Sequence, residues 1–431
     1  MSILRSLNIG VSGLRANSDG LNVAGDNIAN VNTVGFKRSR GVFEDMLGHS
    51  IASSGPTQEA GAGSRMAHVE QLFSEGALVT TDSPTDLAIS GDGFFAVKGN
   101  LQGAQGQYYT RAGQFHVDAN GFLVNPDNLR LQGYSAQPNG TIGATVGDLN
   151  VTPGTVPANA TTAINVGANL DANATIPAAF DPANPGGTSN YSNNVTVYDS
   201  LGNQHEVTIY YRKSAPNAWE WHAMVDGGEL TGGTAGVPTE GANGTMTYTT
   251  NGALDTEATA ASSWNFANAT QAQAITFDFG TSITTDGGTG LDGSTQFASP
   301  SSTTALTQDG YAAGNVSGIS IGGDGKILGT FSNGQQRILG QVVLAKFAND
   351  NGLERGGQGL WFQTQASGEP LLGAADSGGK GAIVAGALEQ SNVDMGTEFV
   401  NLISYQRGFQ ANSRVITTAD EMYGELVNIK R

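Results

Sequence analysis

Both ends of the chain carry narrow helical stripes of period seven, and the long stretch between them carries none. Leu7, Leu14, Leu21 and Ile28 recur every seven residues, with Leu4 and Val11 filling the offset seam. Near the other end Met395, Leu402, Phe409, Ile416 and Tyr423 repeat the spacing, with Tyr405, Ala419 and Leu426 offset by three. Stripes this narrow mark a coiled-coil seam, and each needs a partner because an isolated helix of this length is marginal in water. The simplest partner for one terminal helix is the other. The chain then closes like a hairpin, termini together and middle looped out, which suits a polymerising subunit better than an enzyme.

The middle reads as β structure. Only 13% of the 431 residues are charged, whereas 62 glycines stand among many Thr, Asn and Ser, the composition of strands separated by frequent turns. A hydrophobic fraction of 38%, with Val, Ile, Tyr and Phe in alternating runs, excludes a disordered chain. Strands are expected at 87–89, 94–97, 108–110, 115–117 and 122–124, with Gly91-Asp92-Gly93 and Asn120-Gly121 as turns. A short helical turn is expected at Val42–Leu47. From Val151 the sequence shifts to proline-containing Ala/Thr/Asn/Gly stretches. Strands follow at 194–199, 206–212, 219–225 and 274–279, and 226–272 reads as long loops. From Tyr311 the pattern of residues 77–149 returns, with strands at 316–321, 326–331 and 342–347. Asp394 is the expected N-cap of the last helix, with Glu398 in its first turn.

The fold class is therefore mainly β with α-helical termini, in a nested multi-domain order. Residues 1–30 with 394–431 form the paired terminal helices, and 31–76 with 366–393 link them to the rest. Residues 77–149 with 305–365 make a middle β domain, into which a second β domain, 150–304, is inserted.

Net charge is −18, and between Leu131 and Gly325 sixteen acids face only two bases, Arg212 and Lys213. That balance argues against nucleic acid or an anionic membrane as partner. With no cysteine, disulfides, thiolate catalysis and cysteine-ligated metals are excluded. No stretch has the apolar length of a membrane span, and the N-terminal apolar residues are spaced as a helix face rather than run together as in a secretory signal. Export would need a route without signal cleavage. The five histidines, His49, His68, His116, His205 and His222, lack paired ligand spacing. Asp286–Gly293 resembles a calcium nonapeptide in a single copy, which reads as a loop. No nucleophile–base pair or carboxylate pair stands out, so neither an enzyme nor a cofactor nor a small-molecule substrate is expected.

A more specific signal lies at Asn27-Ile-Ala-Asn30-Val-Asn32-Thr33-Val-Gly35-Phe36-Lys37, directly after the first helix. It resembles the N-terminal motif of the axial proteins of the bacterial flagellum. Ala88–Phe95, Tyr109–Phe115 with Asn120–Val124, and Gly386–Asp394 followed by Tyr405-Gln406-Arg407 are similar to further motifs of that family. Within it the hook proteins are most similar, because the shorter rod proteins lack a large insert such as Val195–His205 with Gly340–Phe347 returning.

The resemblance implies a subunit that polymerises helically into a flexible curved tube and transmits torque from rod to filament as a universal joint. The terminal helices would line the inner tube, with the middle domain as a shell around them and the insert outside; their apolar faces predict that 1–30 and 394–431 are disordered before assembly and fold on docking, the alternative being an intramolecular two-helix coil. It implies homo-polymerisation, contacts with the distal rod protein, the hook cap protein and the hook–filament junction protein, and passage through the flagellar type III export apparatus to an extracellular location. Phe43-x-x-x-Leu47 resembles an export-gate element, and equally reads as a packing pair on one helical turn. Two alternatives remain. A distal rod protein does not account for the length and insert, and a secreted β-sandwich adhesin leaves the helical ends and the Asn27–Lys37 motif unexplained.

Overall fold

The computed structural model describes residues 2–46, 50–51, 58–59, 61–101, 103–137, 140–152 and 155–429. The chain divides into two compact units. One comprises 1–153, 318–330 and 336–431; the other comprises 154–317 and 331–335.

In the first unit, helices Ser2–Ala29 and Met395–Ile429 lie antiparallel against each other. The N-terminal helix stops where Asn30 turns back, its side-chain amide donating to the Asp26 carbonyl at 2.8 Å. The C-terminal helix starts at Asp394, whose Oδ1 accepts the Thr397 N–H at 2.6 Å. Beside the helices runs an antiparallel hairpin of Ser39–Asp45 and Ser64–Gln71. Residues 42–45 are thus strand rather than the expected helical turn. Their cross-strand ladder, with ion pairs Arg40–Glu70 and Arg65–Glu44, offers partners that one isolated turn lacks.

Further along, the unit builds a sheet in the order Lys326–Phe331, Gln336–Lys346, Arg130–Ala136, Phe94–Leu101, Ala104–Thr110, Leu360–Phe362 and Glu354–Gly357. Tyr109 and Phe94 meet Phe347 edge to face, with centroids 4.8 and 6.0 Å apart, and Phe73 and Trp361 close the cluster. Burial pushes the Tyr109 phenol up to about 12.

The second unit is a five-stranded antiparallel sheet, Tyr191–Tyr198, Gln204–Ala215, Ala218–Asp226, Pro238–Tyr248 and Leu254–Ser262, accompanied by Ala163–Asn169 between Thr276–Asp278 and Ser302–Gln308. Trp219, Trp221 and Trp264 are fully buried with Tyr211, Phe266 and Phe279. The expected long loops at 226–272 are a misreading, since two of the five strands lie there. The inward side of Pro238–Tyr248 starts small, at Ala242 and Gly244, where the indole rings already fill the space, and becomes large only at Met246 and Tyr248. A Cβ on Gly244 would meet the Trp221 ring at 2.6 Å. Period two is present in Pro238–Tyr248, but its first half is carried by alanine and glycine and only its second half by Met246 and Tyr248.

Trp221→Ala should destabilise this unit by about 3–5 kcal/mol. Urea unfolding followed by circular dichroism checks this, and a loss below ~1 kcal/mol would mean that the indole is not the keystone of that core.

Candidate assembly surface

The motif residues at the two ends converge on one carboxylate. Glu389, in strand Ala387–Glu389, is wholly buried. Its Oε1 accepts from Lys37 Nζ at 2.5 Å and from the Gly76 N–H at 2.9 Å. Its Oε2 faces Arg111 Nη1 at 3.4 Å. Lys37 also donates to the Ser74 carbonyl, and Arg111 donates to the Gly91 carbonyl while its guanidinium lies over the Phe94 ring. Burial lowers the Lys37 ammonium below its ordinary range, against the pull of Glu389 in the opposite direction.

Around this cluster the rest of the Asn27–Lys37 motif acts as backbone scaffolding. Asn27 is buried and exchanges two 2.8 Å hydrogen bonds with the backbone of Ser39. Thr33 donates to the Asn30 side-chain oxygen, and Asn32 is exposed. Gly35, at φ +69°, donates to the Glu389 carbonyl, and a Cβ there would press on the backbone of Ala112. Phe36 is buried beneath the Arg355 guanidinium. Asn392 ties the returning strand down by accepting from the Arg38 N–H and donating to the Leu72 carbonyl. Glu389, Asn392 and Arg111 lie within the sequence motifs, yet nothing in the motifs themselves gives them a role. A lone acid in the apolar run Gly386-Ala-Leu-Glu389 was the available signal.

The two terminal helices pair, and on the first of them the seam lies one residue away from the expected stripe, whereas on the last it includes the expected Tyr405 and Ile416. Gly10, Gly13, Asn17, Gly20, Ala24 and Asn27 follow a three–four spacing. Ile416, Asn412, Gly408 and Tyr405 lie against Gly10, Gly13, Asn17 and Gly20 respectively. The contact at the centre is reciprocal. The Asn412 side chain covers Gly13, and the Asn17 side chain covers Gly408. Each asparagine donates to the carbonyl four residues back, that of Gly408 and that of Gly13, at 2.9 and 2.7 Å. Small residues on the first helix let the backbones approach, so its apolar stripe is turned about 100° aside.

That stripe is left open to differing degrees. Leu7, Val11, Leu14, Leu21 and Ile28 are half-buried, and Leu4 is 61% exposed. On the C-terminal helix Leu402, Tyr405 and Ile416 are half-buried and Ala419 is buried, on the docked side. Met395 is half-buried near the start, and Phe409 and Tyr423 are exposed, as are Phe399, Val400 and Ile403. Leu426 lies on the helix. Phe43 sits on its strand with its ring 5.9 Å from that of Tyr405, and Leu47 lies outside the described residues.

In the second unit His205 stands between Asp199 and Glu229 and stacks on Phe266, and His222 contacts Glu240 and stacks on Phe180. Asp286 and Asp292 are engaged by Ser282 and Thr281, and among the described residues no cluster of potential metal ligands forms.

The first unit thus joins the two helical ends over a buried charge cluster. Family profiles agree along the chain. Residues 7–37 match the flagella basal body rod protein, 88–178 the flagellar hook protein FlgE/F/G D1 domain, 169–311 the flagellar basal body protein FlaE D2 domain, and 384–429 the flagellar basal body rod FlgEFG protein C-terminal region. The flagellar hook protein FlgE of Borreliella burgdorferi is 35% identical over 99% of this chain and 100% of its own length. The FlgE of Salmonella typhimurium is 35% identical over 97% and 98%, and that of Treponema pallidum 34% over the whole of both. A crystal structure of the Helicobacter pylori hook protein FlgE2 superimposes with a TM-score of 0.50 at 16% identity, covering 72% of this chain and 100% of that one, a likeness of fold. The chain belongs to the flagellar hook protein family. Membership carries a structural, non-enzymatic role in the bacterial flagellar hook, with self-assembly there among flagellar components.

Glu389→Ala leaves Lys37 and Arg111 buried without their carboxylate and should cost about 3–5 kcal/mol. Lys37→Met combined with Glu389→Leu should recover part of that loss. Equilibrium unfolding of Glu389→Ala, of Lys37→Met and Glu389→Leu singly, and of the double variant checks this. Strict additivity of the two substitutions would mean that the pair is uncoupled.

Proposed function

We propose that this chain polymerises helically through its terminal helices into a flexible, curved tube that serves as the universal joint between rod and filament. The observation that carries the reading is the division of faces on those helices. The small-residue side of the first helix is spent on Tyr405, Gly408, Asn412 and Ile416 of the last, and the apolar side chains Leu4, Leu7, Val11, Leu14, Leu21, Ile28, Phe409 and Tyr423 are half-buried or exposed in the single chain. Full burial of one such side chain is worth roughly 1.5–3 kcal/mol. A neighbouring copy supplies the missing cover.

In this reading residues 1–30 with 394–431 line the inner tube. The middle β domain, 77–149 with 305–365, surrounds them, the link 31–76 with 366–393 transmits between the two, and the insert 150–304 faces outward. Before docking the terminal segments separate and lose helical order, since a seam in which glycine and asparagine meet only Tyr405 and Ile416 as large apolar partners holds them with little apolar area. The subunit leaves the cell through the flagellar type III apparatus with no signal peptide removed, and Phe43 with Leu47 contributes to engaging the export gate. At its ends the tube meets the distal rod protein, the cap protein and the hook–filament junction protein.

Electron microscopy of concentrated full-length protein, seeded with hook fragments, tests this beside a chain lacking 1–30 and 394–431. Curved tubes are expected from the full chain and monomers from the trimmed one. Leu14→Asp with Leu21→Asp should also block tubes while leaving the monomer's circular dichroism unchanged. Tubes from the trimmed chain would show that the terminal helices do not drive assembly.

A further inference from the structure

Lys98 and Arg130 are directly opposed across the antiparallel strands Phe94–Leu101 and Arg130–Ala136. Like charges in that position repel and weaken a sheet. One carboxylate serves both cations, Asp148, which bonds Arg130 directly and feels Lys98 only through space, so the pair keeps one positive charge in excess. Asp148 Oδ2 accepts from Arg130 Nη1 at 2.8 Å, and Oδ1 accepts from Gln132 Nε2 at 2.8 Å. The Phe122 ring holds the guanidinium in place, 4.2 Å from the ring centroid. Lys98 is exposed and, among the described residues, has no carboxylate within ion-pair distance. Together with Asn100, Gln105 and Asn128 these groups wall a cleft of about 270 Å³. A recess with surplus positive charge and a rim of side-chain amides is unusual on a chain of net charge −18.

We propose that this cleft is a carboxylate-binding site whose ligand is an acidic side chain from the 154–317 unit of a second copy. The inference rests on the polymer reading above. Charge complementarity selects the occupant. That unit carries fourteen acids and two bases. Both bases are already used, Arg212 by Glu220 and the Ala178 carbonyl, and Lys213 by the carbonyls of Ala172 and Ala174. Exposed carboxylates such as Asp181, Glu206 and Asp278 therefore face no lysine or arginine of their own unit. A carboxylate entering the cleft takes hydrogen bonds from Lys98 and the amides and relieves the repulsion between Lys98 and Arg130. Such a contact is solvated, weak and salt-sensitive, so it breaks and reforms as copies shift.

The test is zero-length carbodiimide cross-linking of tubes assembled from an equal mixture of isotopically light and heavy full-length chains. The reagent joins a lysine amine to a carboxylate only where the two touch. The expected product pairs the Lys98 peptide with a peptide from 154–317, in mixed light–heavy form, and it is lost in Lys98→Gln. Lys98→Glu should raise the protein concentration needed for assembly about two- to fivefold at low salt, a difference that disappears in molar salt. Cross-links of Lys98 that stay within one isotope, or that reach only other regions of the neighbour, overturn the proposal while leaving the polymer reading intact. If seeded wild-type chains form no tubes, the polymer reading falls and the cleft assignment with it.

Discussion

The buried carboxylate of Glu389 is the contact on which the organisation of the first unit depends. It takes hydrogen bonds or charge from residues 37, 76 and 111 and so joins the exit of the first helix, the approach to the β sheet and the return to the last helix. A carboxylate with no water to turn to needs every one of those partners. Removing one leaves a charge stranded at several kcal/mol, so the three segments hold together or fail together. Gly35 and Asn392 do the same work through the backbone, and their geometry tolerates no side chain at the first and no apolar replacement at the second.

What could be read from the sequence followed the size of the inward side chains. Phe94–Val97, Tyr108–Thr110 and Val342–Phe347 alternate or run apolar with large residues, and each is a strand of the sheet. Pro238–Tyr248 and Leu254–Ser262 show little pattern because their large inward residues, Met246, Tyr248 and Leu254, cluster at one end, while Ala242 and Gly244 leave the volume to tryptophans from neighbouring segments. The hairpin at 39–71 was missed for another reason. Its partner strand is a polar stretch whose pairing is set by the helices it lies beside, and no local pattern encodes that.

The candidate surface shows the same split. The apolar heptads were legible, and the structure turns the N-terminal one away from the intramolecular contact while keeping Tyr405 and Ile416 of the C-terminal one in it. The Gly–Asn seam beside them has equally regular spacing, but small residues in a helix ordinarily pass for breakers rather than for a binding face. The ion cluster was hidden for a different reason: Lys37 and Glu389 are each ordinary in their local sequence, and only the fold makes them neighbours.

Lys37 and Glu389 stand 352 positions apart. Closing a flexible loop of that size costs roughly 5 kcal/mol in chain entropy before any contact repays it. The cost falls steeply if the intervening sequence has already condensed, because the span left to search is then short. The two ends are therefore the last parts of the molecule to find each other, and a chain whose middle has not folded has little means of joining them. Kinetically, the β structure is a splint for the termini, and the order in which the molecule is completed runs from its middle outward to both ends.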